Sequence, residues 1–243
     1  MIEEIWLVLI VVALASLVRS AIGFGDALIA MPLLSSIISI KTASPLVAVT
    51  ALFISVTIIL TKGDFKVKSI SKDYKLLDLI IACIIGIPIG IYLLRTVNEE
   101  YVKGFLGVVI ILFAVFNLIK PELPRLKDER FVHFFGLISG MLGGAYNTNG
   151  PPIVIYSLFK KLKPEEFRVV IQYVLIPTNV FIIAGHGITG LWSEKVIELM
   201  LYSVPVSIFC VLIGVKLSKF IKQDLFYKIV NVFLVVIGIR MFF

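Results

Sequence analysis

Gly143-Gly144-Ala145-Tyr146-Asn147-Thr148-Asn149-Gly150-Pro151-Pro152 interrupts an apolar stretch that otherwise runs from about 131 to 159. Glycine admits unusual dihedrals and close backbone approach. Proline suits the first turn of a new helix, where its missing N–H costs nothing. This segment therefore ends one helix and begins another. A second interruption, Arg19-Ser20-Ala21-Ile22-Gly23-Phe24-Gly25-Asp26, divides the stretch from about 5 to 40. New helices are expected near Ala27 and Pro151, and helix N-termini attract anions through their unpaired N–H groups.

The composition around these breaks calls for lipid as solvent. Hydrophobic residues make up 59% of the 243 and charged residues only 16%, whereas a soluble domain carries about a quarter charged residues. The mean hydropathy is +1.05. The chain reads as an all-α integral membrane protein in the plasma membrane, where irregular backbone survives only if buried in protein or lining a cavity. The net charge of +7 does not indicate a nucleic-acid partner, because the basic residues sit in short loops, as membrane topology requires. Cys83 and Cys210 lie in apolar runs, and His133 and His186 are the two histidines. Neither a disulfide, a metal site nor a cofactor is expected. Ala13-Leu14-Ala15 resembles a signal-peptidase site, but no Lys or Arg precedes that run, so the segment is expected to stay. Gly-x-Ser-x-Gly, His-Glu-x-x-His and a Walker-type loop are all missing from the sequence, which argues against an enzyme and against ATP as direct energy source.

Ten apolar runs are legible: 5–18, 27–40, 42–61, 76–95, 104–119, 131–145, 151–159, 169–186, 196–215 and 225–243. Hydropathy merges the runs beside each break, giving eight segments. A shift of 124 residues places Gly63 on Gly187, Gly90 on Gly214 and Ala21 on Ala145 without a gap, the signature of an internal duplication. The halves are 1–124 and 125–243. Each is expected to hold a broken hairpin (5–40; 131–159) and three spans (42–61, 76–95, 104–119; 169–186, 196–215, 225–243).

Lys62, Lys66, Lys68, Lys72 and Lys75 make one loop basic. Lys120, Arg125, Lys127 and Arg130 do the same for another, followed by Lys160, Lys161, Lys163 and Arg168, and then Lys216, Lys219, Lys222 and Lys228. Positive loops face the cytoplasm. If 120–130 and 160–168 share that face, the stretch 131–159 enters and leaves on one side. Its arms of roughly 15 and 9 residues are short of the ~20 a crossing needs. The hairpins are then re-entrant, each half has an odd number of crossings, and the halves are inverted. The rival topology, eight full spans, puts two basic loops on opposite faces.

The chain resembles the TauE/SafE family of sulfite and organosulfonate exporters. The resemblance is carried by Gly23-Phe24-Gly25-Asp26-Ala27-Leu28-Ile29-Ala30-Met31-Pro32-Leu33-Leu34 and, in the second half, by Gly140, Gly143-Gly144 and Asn149-Gly150-Pro151-Pro152-Ile153-Val154-Ile155-Tyr156. It covers essentially the whole chain and implies export of small anions such as sulfite or sulfoacetate. Asp26 and Asn149 stand where the family usually has glycine.

Asp26 is the acidic residue farthest inside an apolar region. An intramembrane carboxylate is a functional candidate by default, here for proton coupling; the alternative is a helix cap paired with Arg19. Arg19 offers a planar fork of donors suited to a sulfonate or carboxylate, or else neutralises Asp26 or snorkels. Ser20, Gly23, Gly25, Asn147, Thr148, Asn149 and Gly150 line the breaks and complete the candidate substrate site. Gln172 and Asn179, seven residues apart on one helix face, join them, with Thr50 and Ser55 on the equivalent helix; such groups also glue helices together. His186, between two glycines, reads as a loop histidine at the outer surface, and Trp6 and Trp192 as interface anchors. The expected partners are a small anionic substrate and the lipid bilayer, and a homo-oligomer is compatible with the sequence. A lipid-phosphate flippase or an anion channel is the alternative function.

Overall fold

Lipid leaves helix as the economical way to satisfy every backbone group, and the computed structural model follows that rule. It describes residues 2–62, 74–119, 123–124, 128–162, 164–217 and 223–242. Lys66, Lys68, Lys72, Lys120, Arg125, Lys127, Lys163, Lys219 and Lys222, used above for orientation, lie outside the described residues.

Among the described residues there are ten helices, one on each apolar run: α1 Ile2–Ile22, α2 Asp26–Leu34, α3 Ile40–Lys62, α4 Leu76–Thr96, α5 Glu99–Ile119, α6 Phe131–Tyr146, α7 Gly150–Phe159, α8 Pro164–Ile188, α9 Glu194–Leu217 and α10 Gln223–Arg240. Six of them, α1, α3, α4, α5, α8 and α9, are long and apolar enough to cross a membrane. Their outward faces are apolar: Trp6, Ile10, Leu60, Leu112, Leu201 and Phe209 are all exposed, while Arg19, Ser55, Gln172 and Asn179 are buried. Polar groups inside and hydrocarbon outside is the arrangement of a protein dissolved in lipid.

The extent of the first arm needs correction. The first arm was read as a run of about 14 residues ending before Arg19, too short to cross. Instead α1 has 21 residues, long enough for a crossing at 1.5 Å per residue. Arg19 does not end the helix, because partners on other elements satisfy its charge. The last run, expected as a span over 225–243, forms α10, an 18-residue helix with Asp224 and Lys228 near its start and Arg240 at its end.

Two seams hold the bundle. In the first, α6 lies along α4 with almost no side-chain spacer. A Cβ on Gly140 would overlap the Cys83 carbonyl oxygen and sit 2.7 Å from its carbon. One on Gly90 would overlap the Met141 oxygen and sit 2.8 Å from the Ala145 nitrogen, and one on Gly144 would meet the Ile87 oxygen. Small residues let backbones approach this closely. The order of contacts, with Lys75 bound to Glu129 at 2.5 Å and Ala82 at Gly136, Cys83 at Gly140 and Ile87 and Ile91 at Gly144, makes α4 and α6 parallel.

The second seam joins α1 to α9. Lys195 bonds Glu4 at 2.5 Å, and Gly214 meets Leu17 and Ser20, so these helices are parallel too. The start of α3 sits beside the loop between α4 and α5, where the Ile40 N–H donates to Glu99 at 3.0 Å. Gly185 of α8 meets Ile91 of α4. The N-terminus of α9 therefore lies at the end of the bundle where α4 finishes, and α1 and α6 run in opposite directions.

Candidate functional site

Helix α1 ends at Ile22, and two glycines in the left-handed region, Gly23 (φ 101°) and Gly25 (φ 98°), reverse the chain into α2. That region strongly favours glycine. At the other break α6 is closed by Asn147 at φ 54°, a conformation asparagine tolerates better than most residues. There the Asn147 N–H donates to the Gly143 carbonyl at 2.7 Å.

At the first break the guanidinium of Arg19, 1% exposed, is shared by three other elements. Nη1 bonds Asp26 Oδ2 at 2.7 Å. Nη2 donates to the Ser55 hydroxyl of α3 and to Gln172 Oε1 of α8 at 3.2 Å. The Gln172 amide in turn donates to the Gly23 carbonyl at 2.7 Å, which holds the unwound backbone to α8. Asp26 is thus not the cap of α2 but its first residue, following Gly25. Its carboxylate stands at the positive end of that helix while pairing with Arg19. Both charges are compensated in place.

At the second break Asn149 Nδ2 donates to the Thr178 hydroxyl of α8 at 3.2 Å, and Ser139 donates to the Asn149 carbonyl at 2.7 Å. Thr148 stays local, its N–H donating to the Leu142 carbonyl at 3.3 Å. Pro151 and Pro152 at the start of α7 remove two of the N–H groups that a helix start normally presents. Side-chain donors must therefore supply more of the polar lining than expected.

The two breaks meet. Gly25, Asp26 and Ala27 from the first line one small cavity with Asn147, Thr148, Asn149, Gly150 and Pro151 from the second, closed by Phe24, Leu28 and Leu175. Its volume of about 10 Å³ accommodates about one water molecule, so this conformation is closed to an oxyanion. The Phe24 ring seals it from one side, edge-on to Phe113 and Phe167 and 3.5 Å from the Cβ position of Gly150. Room for a solute, which the sequence reading required of this meeting point, is missing in this state.

Of the other predicted residues, Ser20 is not brought here. Its hydroxyl donates to Leu17 at 2.7 Å and faces Gly214 of α9. Asn179 is 1% exposed, and both its amide atoms lack a partner among the described residues. Among the described residues Thr50 bonds only to carbonyls of its own helix. His186 requires correction: it is not at a surface but 0% exposed, with Nε2 3.3 Å from the Gly144 carbonyl, because α8 continues through both flanking glycines to Ile188. Thr178 and Ser139 are absent from the expected site, whereas Ser55, named above on the equivalent helix, accepts from Arg19. For His186 the usable signal was its spacing of seven from Asn179 and of fourteen from Gln172.

Comparison with family models matches residues 8–241 to the family described as Sulfite exporter TauE/SafE. Comparison with curated proteins and with solved structures finds no match.

Proposed function

The chain belongs to the TauE/SafE sulfite exporter family, and from that premise we propose that it is a secondary transporter of the plasma membrane. It exports small sulfur-containing or organic anions, sulfite and sulfoacetate among them, and is driven by protons. The observation that carries the reading is the single cavity shared by two broken hairpins, one arm of each half, with a compensated Arg19–Asp26 pair at its edge. In the cycle an anion takes Arg19 as Asp26 takes a proton, so that neither charge is left buried alone.

The halves 1–124 and 125–243 are read as inverted repeats. The pairing of α4 with α6 and of α9 with α1 supports this, because the shift of 124 residues carries Gly90 onto Gly214 and Leu17 onto Met141, and both contacts, Gly90–Met141 and Gly214–Leu17, are made. The opposite directions of α1 and α6 add to it. Opening of the cavity alternately to each side then follows from moving the hairpins against α3 and α8.

The test is flux of sulfite, sulfoacetate and sulfate by purified protein in proteoliposomes, with and without a pH gradient. Transport of at least one, accelerated by the gradient, is expected. Protein-dependent flux of none of the three overturns the reading, and flux indifferent to the gradient removes the proton from it.

A further inference from the structure

Among the described residues, the buried polar side-chain atoms without a partner are Arg19 Nε, Asn147 Oδ1, both amide atoms of Asn179, His186 Nδ1, Trp192 Nε1 and Ser203 Oγ. Unmet buried groups are rare in native proteins and each asks for a reason. Asn179 and His186 lie two turns apart on one face of α8. Between them Ile182 lies 3.2 Å from the Cβ position of Gly143, and His186 Nε2 reaches the Gly144 carbonyl. That face of α8 is therefore turned toward the last turn of α6, where the second break begins.

A neutral His186 that donates from Nε2 to Gly144 leaves Nδ1 as a bare, buried lone pair. A proton on Nδ1 makes it a charged donor, and a buried charged donor needs an anion beside it. The first break contains its own counter-ion, Asp26 for Arg19. The second does not. Helix α8 is packed against α3, α4, α6 and α7, and the titratable or charged groups these carry toward the same end are Lys41, Tyr92, Arg95 and Tyr146. None is a carboxylate. Beyond α8, Glu194 begins α9, and Lys195 is held by Glu4.

We propose that His186 is a second substrate-contact and coupling residue, which takes a proton from water on Nδ1 as an anion arrives at the second break and releases it as the anion leaves. This rests on the anion-transport reading and extends it to a protonation site that the carboxylate–arginine pair does not provide. At this site the balance is one proton on His186 for one negative charge of the anion, entering and leaving together, with no covalent change in ring or solute. It suits an oxyanion or sulfonate group, one negative charge of which pairs with the imidazolium.

The test uses the full chain carrying His133→Gln, which leaves His186 as its one histidine, with ring-labelled histidine in nanodiscs and methanesulfonate as probe. Ring NMR is followed as pH is lowered, with and without the probe. Methanesulfonate is expected to shift the His186 titration to higher pH. By linkage, its affinity should rise roughly tenfold between about pH 8 and about pH 6, and by a clearly smaller factor in a further His186→Gln variant, where only the Asp26 proton stays coupled to binding. A ring signal indifferent to methanesulfonate in protein that binds it overturns the proposal and leaves the transport reading standing. Protein that binds no anion of this class overturns both.

Discussion

The α4–α6 seam places the second break, and Gly140→Ala probes it directly. The added Cβ would sit 2.7 Å from the Cys83 carbonyl carbon and 2.9 Å from its Cα, besides overlapping the carbonyl oxygen. Carbon atoms in contact need about 3.5–4.0 Å, so the helices must part by roughly 1 Å along a seam where Gly86, Gly90, Gly136 and Gly144 are equally tight. Overpacking against side chains costs about 1–3 kcal/mol, and occasionally more. Here the obstacle is backbone, which cannot rotate away, so a loss of about 3 kcal/mol is expected. At about 2–4 °C per kcal/mol for a chain of this size, the unfolding midpoint should fall by about 6–12 °C. Cys83, buried and free at this seam, gives the assay: a thiol-reactive dye in detergent reports its exposure on heating. Gly104→Ala is the control, since its Cβ would meet only the Phe242 ring at 3.9 Å and the substitution favours helix. Equal midpoints for the two variants would refute the close-packed seam.

At the first break, Arg19→Gln or Asp26→Asn alone leaves an uncompensated buried charge and should cost about 3–5 kcal/mol; the double variant should recover most of that in thermal unfolding while losing proton-driven flux. Single variants as stable as wild type would contradict the pairing. Gly25→Ala meets no atom within 4 Å, so its effect is conformational, a loss of about 1–2 kcal/mol; unchanged stability would argue against the left-handed turn. At the bundle end, the hydrogen bond from Lys75 holds the Glu129 carboxyl below its usual range. A depressed folded-state value adds stability above the unfolded value of about 4.5, lost as pH falls through the folded value. The midpoint difference between wild type and Glu129→Gln should therefore be present at neutral pH and vanish in acid, and a difference that persists in acid would exclude this linkage.

The local chemistry of the breaks was readable because glycine and proline act on their own backbone: Gly23, Gly25 and Pro151 mark chain reversals whatever surrounds them. The two glycines on which the proposed duplication leans act in a related way, since Gly90 and Gly214 both lie in seams where no Cβ fits. What long-range neutralisation decides was not readable. A hydropathy scale stops α1 before Arg19, yet the helix carries on because Asp26, Ser55 and Gln172 converge on the guanidinium from positions as far as 153 residues away. Glycines beside His186 suggested a loop, whereas Gly185 instead lets Ile91 of α4 approach closely. Ser20 was assigned by adjacency to the break, but the helical rotation of 100° per residue points it at α9.

The cross-pairing of α1 with α9 and of α4 with α6 has a mechanical consequence. Each half lends its opening helix to the other, like two clasped hands, so residues 1–124 and 125–243 cannot slide past one another as separate blocks. Any rearrangement that exposes the centre must divide the molecule along a different line, one that keeps both clasps closed, and a chain cut between residues 119 and 128 would leave two pieces that each lack a binding surface only the other can provide.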